Sequence, residues 1–232
     1  MPCVPTLPSS TRLRVVGWTS FGVFLALTLV VLLAGTRLSH LDATIERNVR
    51  VWVLDHPAVA RVAEVITWLG SPVTVVAVVA VLAVGLLARG ARRPAIYLVI
   101  TAAGGGLLNT TVKFLVERAR PDVADRLVTA HGFSYPSGHA AAGVYLYGAL
   151  AVVSLLVLPG RVGRSLAGAC LVVAPLIGIS RVVLGVHWPS DVLAGWALAL
   201  SWLSLTTSVL LRVEQPQRRP DLQVQTRDEG LG

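Results

Sequence analysis

The chain has 232 residues, of which 54% are hydrophobic and 14% are charged, and its mean hydropathy is +0.71. Because a soluble globular chain carries about 25% charged residues, this composition excludes a disordered, collagen-like or coiled-coil protein and an ordinary cytosolic enzyme, and it leaves a polytopic membrane protein. The formal charge of +8 includes a single Lys, and the Arg residues are scattered without a basic run interleaved with aromatic side chains, so nucleic acid is not an expected partner.

Six apolar stretches are long enough, or nearly so, to cross a membrane as helices, because about 20 helical residues span a hydrocarbon core of about 30 Å. They are too long and too uniformly apolar for the alternating strands of a barrel. We therefore predict an all-α polytopic membrane protein built as a six-transmembrane-helix bundle. In the second span, Pro72 is the expected start of the helix. The predicted spans are Val15–Thr36, Val65–Ala88, Pro94–Val112, Gly138–Gly160, Ser165–Ser180 and Val192–Leu211.

The segments around the spans predict the orientation of the chain. Residues 89–93 and 160–164 lie on one side and hold five Arg and no acid, which favours the cytoplasm. An even number of spans then places both termini in the cytoplasm, in a multi-pass protein of the cell membrane. On the outer side, residues 38–71 mix apolar and charged side chains and predict an amphipathic interfacial segment. The expected divisions are an unstructured N-terminal tail (1–14), the six-span domain (15–211) and a disordered C-terminal tail (212–232).

Charged and polar residues gather at four span ends, and the span count places all four ends on the outer face. An ionisable residue close to a membrane span is costly and indicates a functional site. Lys113, Arg120 and Arg181, which we call the cation cradle, need an anionic partner, and the oxygens of a phosphate suit the Arg fork and the Lys point charge. Ser137 and Gly138 open the fourth span, where unpaired backbone N–H groups also favour an anion.

His187 and Asp191 are four residues apart with Pro189 between them. Pro is favoured in a first helical turn, so His187 is expected just before the sixth helix and Asp191 inside its first turn. The carboxylate can accept the N–H of one ring nitrogen and leave the other nitrogen as a nucleophile. His139 is a second imidazole, suited to proton transfer near neutral pH. Together with the cation cradle, these residues predict phosphoryl transfer through a phosphohistidine.

Three segments of the chain resemble the motifs of the type 2 phosphatidic acid phosphatase superfamily, which also includes vanadium haloperoxidases and bacterial acid phosphatases. The motifs of that superfamily read K-x6-R-P, P-S-G-H and S-R-x5-H-x3-D. Every motif position matches and the order is the same, so the resemblance is far more specific than a lone short motif. It extends from about Asp42 to Trp196. The matching segments are Lys113-FLVERA-Arg120-Pro121, Pro136-Ser137-Gly138-His139 and Ser180-Arg181-VVLGV-His187-WPS-Asp191.

The resemblance implies a role for each matching residue. His187 would attack phosphorus, Asp191 would orient it, and His139 would protonate the leaving oxygen and later activate water. The family needs no metal, and we expect no cofactor, since the sequence contains no Asp/Glu/His cluster typical of metal ligands. Outside the motifs, Glu64 and Asp42 are candidates for the mouth of the cleft. The implied phosphate-binding residues are Lys113, Arg120, Ser137, Gly138 and Arg181.

These observations predict an integral membrane lipid phosphatase that cleaves a phosphomonoester, or the terminal bond of a diphosphate, at the outer membrane face. A site at helix ends suits a lipid phosphate, because the headgroup reaches the site while the tails stay in the bilayer. Phosphatidic acid, phosphatidylglycerol phosphate and a polyprenyl diphosphate all fit this description. The alternatives are a membrane phosphotransferase that uses the same site and a non-catalytic binder or transporter of lipid phosphates. The presence of both His187 and His139 favours catalysis.

Overall fold

The computed structural model describes residues 7–33, 35–122 and 126–214 of the chain. Within these ranges the regular secondary structure is entirely helical. One helix, which we treat as continuous, contains a π-helical turn at Gly143–Tyr147. The helices are α1 (Ser10–Leu33), α2 (Gly35–Asp55), α3 (Pro57–Trp68), α4 (Pro72–Ala88), α5 (Arg92–Val116), α6 (Gly138–Val157), α7 (Gly160–Val183) and α8 (Pro189–Glu214).

The predicted all-α bundle is confirmed. The helices α1, α5, α6, α7 and α8 are each long and apolar enough to cross a membrane, and α3 and α4 together form a sixth candidate span that is bent by 45°. The start of the first helix and the end of the last helix differ from the predicted bounds. Residues 10–14, predicted as tail, are helical, and α8 continues beyond the predicted boundary at residue 211. The remaining parts of the two predicted tails that fall on residues 1–6 and 215–232 lie outside the described residues.

The second span is not the continuous helix that the apolar run Val65–Ala88 predicts. Its first residues belong to α3, which ends at Trp68, and α4 begins at Pro72 as expected. The break has a local cause, because Pro lacks a backbone N–H and is favoured in the first turn of a new helix. Ser71 caps that helix, since its hydroxyl oxygen accepts a hydrogen bond from the backbone N–H of Thr74 at 3.2 Å. A Ser cap of this kind satisfies one of the unpaired N–H groups of a helix start.

The amphipathic segment 38–71 is divided between two helices, α2 and α3. The helix α2 ends at Asp55 and α3 begins at Pro57, where the Pro ring prevents the first helix from continuing. The helix α2 buries Asp42 and Val53 against the bundle, while Leu41 and Trp52 remain exposed. The helix α2 therefore presents a polar as well as an apolar side chain to the protein interior.

The helix α6 lies at the centre of the bundle and packs against α5, α7 and α8. Leu146 and Ala149 of this helix are completely buried. The contact with α7 is close: a Cβ atom at Gly143 would lie 2.5 Å from the carbonyl oxygen of Ala174. These contacts fix the position of the N-terminus of α6, and therefore of the residues from Ser137 to His139.

The substitution Gly143→Ala should destabilise the fold, because the new methyl group meets the backbone of α7, which cannot rotate away. We expect a loss of about 1–3 kcal/mol, as for other overpacked cores. The matched control is Gly168→Ala in α7, where a Cβ atom meets nothing within 4 Å. Unfolding of the two variants in detergent tests this packing, and equal midpoints for Gly143→Ala and the wild type would contradict it.

Candidate active site

The helix ends that carry the predicted site residues meet at one face of the bundle. The start of α6 is joined to the start of α8, because the backbone N–H of Ser137 donates to the carbonyl oxygen of Asp191 at 2.9 Å. The end of α5 joins the same cluster through Lys113, whose Nζ donates to the carbonyl oxygen of Pro136 at 3.0 Å. The end of α7 contributes Arg181, which lines one cavity together with His139. The structure thus brings the residues of all three motifs together.

His187 and Asp191 form a buried pair. The His187 Nδ1 lies 3.4 Å from the Asp191 Oδ2, and the two residues are 2% and 0% exposed. Because Asp191 is a carboxylate acceptor, this contact places the ring proton on Nδ1 and leaves Nε2 as the basic nitrogen. Burial lowers the pKa of His187 to about 3, although Asp191 opposes that shift. The imidazole is therefore neutral, which is the state that a nucleophile requires.

The Asp191 carboxylate is held on both oxygens. Its Oδ2 also accepts hydrogen bonds from the Ser134 hydroxyl and, at 3.0 Å, from the backbone N–H of Trp188. Its Oδ1 accepts from Arg118 Nη1 at 2.7 Å. As predicted, Asp191 lies in the first turn of α8. The pair is consequently placed by the start of that helix and by the segment that leads into it.

Backbone carbonyl groups bind two of the three cations of the cradle, Lys113 and Arg120. The Lys113 Nζ donates to the carbonyl oxygen of Phe133 at 2.8 Å as well as to that of Pro136. The Arg120 guanidinium donates to the carbonyl oxygens of Val186 and Gly132, at 2.7 and 3.0 Å. Carbonyl groups orient these cations but leave their formal charges uncompensated. Burial accordingly lowers the pKa of Arg120, while the charge of Asp191 acts in the opposite direction.

Arg120 also contacts the predicted nucleophile. Its Nη1 lies 2.9 Å from Nε2 of His187, the nitrogen that does not face Asp191. Arg181 is 6% exposed and donates from Nη1 to the hydroxyl oxygen of Thr67 at 2.8 Å. Within the described part of the chain, the buried Nε of Arg181 has no hydrogen-bond partner. An anion placed beside His187 would therefore meet two guanidinium groups, one of which has an unused N–H.

The helix α6 begins at Gly138, where the sequence predicts the start of the fourth span. Ser137 is its N-cap, and its hydroxyl oxygen accepts from the backbone N–H of Ala140 at 3.4 Å. Gly138 follows as the first helical residue, and a Cβ atom there would lie 3.3 Å from Oδ1 of Asn109. The absence of a side chain at this position keeps the helix N–H groups approachable, which suits an anion.

A cavity of about 410 Å³ opens beside the cation cradle. His139 and Arg181 line this cavity, and Glu64 contributes a carboxylate from α3. The break between α3 and α4 forms one wall. Asp42, the other candidate for the mouth, does not line this cavity; it is buried beside Arg118. The remaining lining residues are Thr67, Trp68, Ser71, Val73, Val128 and Thr129.

Arg118 is the main polar residue of the site that sequence reasoning missed. It occupies an unspecified position of the K-x6-R-P motif, two residues before Arg120. Its guanidinium bridges Asp191 and Asp42, with both N–O distances at 2.7 Å. Ser134 and Thr67 were also missed, because a single hydroxyl residue outside the motifs has no spacing or periodicity that would indicate a functional role. For Arg118, the available signal was a third basic residue in a segment that leads into a membrane-embedded site.

Comparison with known proteins gives one family. The PAP2 superfamily model matches residues 94–214. Phosphatidylglycerophosphatase B of Bacillus subtilis is 34% identical over 140 residues, which cover 58% of this chain and 67% of that protein. An undecaprenyl-diphosphatase of Sulfolobus acidocaldarius is 38% identical over 89 residues, covering 36% of this chain and 39% of that protein. The crystal structure of a transmembrane PAP2-type phosphatidylglycerolphosphate phosphatase from Bacillus subtilis superimposes with a TM-score of 0.75 at 26% identity, covering 88% of this chain and 98% of that one.

The buried neutral state of His187 predicts a pH-dependent stability. In the unfolded chain this side chain titrates near its ordinary pKa of about 6.5, whereas in the folded protein the pKa is about 3. The unfolded state therefore binds the extra proton as the pH falls below 6.5, and folding loses about 2 kcal/mol from this group between pH 7 and pH 5. Unfolding in detergent at both pH values measures the loss. The variant His187→Gln should lack this contribution, and an equal loss in both proteins would refute the assignment.

Proposed function

The chain belongs to the PAP2 superfamily, in its membrane lipid phosphatase branch, and on that basis we propose that it hydrolyses a lipid phosphomonoester through a phosphohistidine at His187. The observation that carries the proposal is the position of Nε2 of His187. This nitrogen faces Arg120 rather than Asp191, and the Arg120 guanidinium is held by carbonyl groups. A phosphate bound by the cradle would lie within reach of a neutral, oriented imidazole.

The phosphate group would replace the direct contact of 2.9 Å between Nη1 of Arg120 and Nε2 of His187, so that both nitrogens face the phosphate. Arg120, Lys113 and the unused Nε of Arg181 would neutralise its oxygens, and the N–H groups at Gly138 would add a helix N-terminus. Three side-chain cations supply the positive charge that a phosphate dianion requires. We therefore propose that the reaction proceeds without a metal.

In the first step, Nε2 of His187 forms a bond to phosphorus and the bond from phosphorus to the leaving oxygen breaks. The imidazole becomes positively charged, and Asp191, which keeps its hydrogen bond to Nδ1–H, stabilises that charge. His139 donates a proton to the leaving oxygen, so the product departs as an alcohol. In the second step, His139 takes a proton from water, the hydroxyl attacks phosphorus, and the P–N bond breaks to release phosphate and neutral His187.

The cavity beside His139 would hold the leaving group. His139 lines this cavity, and in-line displacement places the leaving oxygen opposite His187. The walls contributed by Trp68 and Val73 are apolar, and Glu64 supplies the negative charge. A carboxylate next to the leaving group disfavours a second phosphate attached directly to the first. We therefore propose a glycerolipid phosphomonoester, either phosphatidylglycerol phosphate or phosphatidic acid, ahead of a polyprenyl diphosphate.

The likeness to phosphatidylglycerophosphatase B of Bacillus subtilis supports this choice of substrate class. We also propose that the site faces the extracytoplasmic side and that both termini are cytoplasmic. That orientation is supported by the Arg residues at the opposite ends of the spans, because short basic segments favour the cytoplasm. These Arg residues lie between α4 and α5 and at the start of α7.

Release of inorganic phosphate by detergent-purified protein, with a metal chelator present, tests the proposed reaction. The substrates are phosphatidylglycerol phosphate, phosphatidic acid and a polyprenyl diphosphate. We expect release by the wild type and loss of at least about 10³-fold in kcat for His187→Ala, because the nucleophile is removed. Full activity in the variant would exclude the phosphohistidine. Consumption of substrate without free phosphate would favour the phosphotransferase, and binding without turnover would favour a non-catalytic binder.

The variant Glu64→Gln tests the proposed leaving-group cavity. Removing the carboxylate should raise kcat/KM for the diphosphate relative to phosphatidic acid by about threefold to tenfold, as expected for one charge at a solvent-screened distance. The matched control is Glu117→Gln, which removes an exposed carboxylate that does not line the cavity. An unchanged ratio in Glu64→Gln would remove this residue from substrate selection.

A further inference from the structure

We propose that Arg118 and Asp42 are positioning residues, which hold the segment from His187 to Asp191 in its reactive arrangement. The proposal rests on the proposed function, since it assigns Arg118 and Asp42 to the support of the nucleophile. It also gives the outer helix α2 a part in catalysis, because Asp42 belongs to that helix.

Arg118 contacts three of the four residues that follow the nucleophile, namely Trp188, Ser190 and Asp191. Its Nη1 donates to the Ser190 hydroxyl oxygen and to Oδ1 of Asp191, both at 2.7 Å. The guanidinium carbon lies 5.7 Å from the centre of the Trp188 ring, within the range of a cation–π contact. One side chain thus holds the residue directly after His187 and the carboxylate that orients it.

Asp42 holds the same segment from the other side. Its Oδ1 accepts from the backbone N–H of Ser190 at 3.1 Å, and its Oδ2 accepts from the Ser190 hydroxyl and, at 2.7 Å, from Nη2 of Arg118. The Asp42 and Asp191 side chains are 3% and 0% exposed. Losing a side-chain hydrogen bond at this level of burial costs free energy, because the group left behind is desolvated and unpaired. The hydrogen bonds therefore fix the relative positions of Asp42, Arg118, Ser190 and Asp191.

The charges explain why Arg118 is required. Asp42 and Asp191 are two buried carboxylates that share one guanidinium, which lies between them. Without it, two carboxylates would lie close together in a low-dielectric site with no cation between them, and they would repel each other. The repulsion would move Asp191 away from the position in which it accepts the Nδ1–H of His187. The imidazole would lose both its tautomer preference and the partner that stabilises its positive charge.

Arg118 acts through Asp191 rather than on the substrate. It contacts Oδ1 of Asp191, whereas His187 contacts Oδ2. The phosphate-binding donors proposed above lie on Lys113, Arg120 and Arg181. The loss of Arg118 should therefore affect the chemical step and leave phosphate binding intact, a separation that a purely stabilising ion pair would not produce.

The test compares Arg118→Gln, Arg118→Lys and Asp42→Asn in full-length protein, with phosphatidic acid as substrate and inorganic phosphate as competitive inhibitor. For Arg118→Gln we expect kcat to fall about 100-fold, less than the 10⁴-fold typical when the orienting carboxylate itself is removed. Arg118→Lys should recover part of this loss, because it keeps the charge but not the fork. Asp42→Asn should fall about tenfold. In all three, KM and the Ki for phosphate should change by less than about threefold.

Asp55→Asn, at the exposed end of α2, is the matched control and should retain wild-type kcat. Thermal melting in detergent identifies any variant that does not fold. If Arg118→Gln does not fold, Arg118→Lys is compared with the wild type instead. Wild-type kcat in Arg118→Lys and Asp42→Asn, or parallel losses in kcat and phosphate affinity, would overturn the positioning role. Absence of phosphate release by the wild type would overturn the proposed function and this proposal together, whereas an active wild type with unaffected variants would overturn the positioning role alone.

Discussion

The site depends on one constraint: within the described residues, Lys113 and Arg120, which would bind the phosphate, do not form ion pairs with the buried carboxylates. Four cationic side chains approach the segment around His187, but the buried carboxylates Asp42 and Asp191 both pair with one of them, Arg118. Lys113 and Arg120 are bound by carbonyl oxygens instead. Carbonyl dipoles can orient a cation without neutralising it, so positive charge remains where a phosphate would bind. The same burial that makes this arrangement costly in the empty site makes an anionic ligand favourable.

The fold places this arrangement at helix ends, and a particular residue determines where each of these helices starts or ends. The helix α8 starts at Pro189 and α6 starts after the Ser137 cap. The helix α5 ends at Val116, three residues after Lys113, and is followed by the left-handed residue Glu117. Helix ends are the places in a membrane protein where backbone groups are not already paired. A site that requires both N–H donors and carbonyl acceptors is therefore built at the ends of spans rather than in their interiors.

The sequence was sufficient for the helical class, the number of spans and the identities of the motif residues that meet. Long apolar runs determine spans by hydrophobicity alone, and the motif residues carry fixed spacing. Two features were not predictable from hydropathy or motif spacing. The break between α3 and α4 lies inside one apolar run, and only Pro72 indicated where α4 begins. Arg118 occupies an unspecified motif position, and its partner Asp42 is 76 residues away in the sequence, where no periodic pattern connects the two.

The bend between α3 and α4 has a kinetic consequence. Trp68 and Ser71, which flank the bend, line the cavity beside His139, so one side of that cavity is bordered by a membrane-spanning element. A lipid can then approach by lateral diffusion within its own leaflet, with its chains remaining among hydrocarbon. The relevant concentration is the mole fraction of substrate in the membrane, not its bulk molarity. Diluting the substrate with inert lipid would lower the rate at constant total substrate, which is the behaviour known as surface dilution.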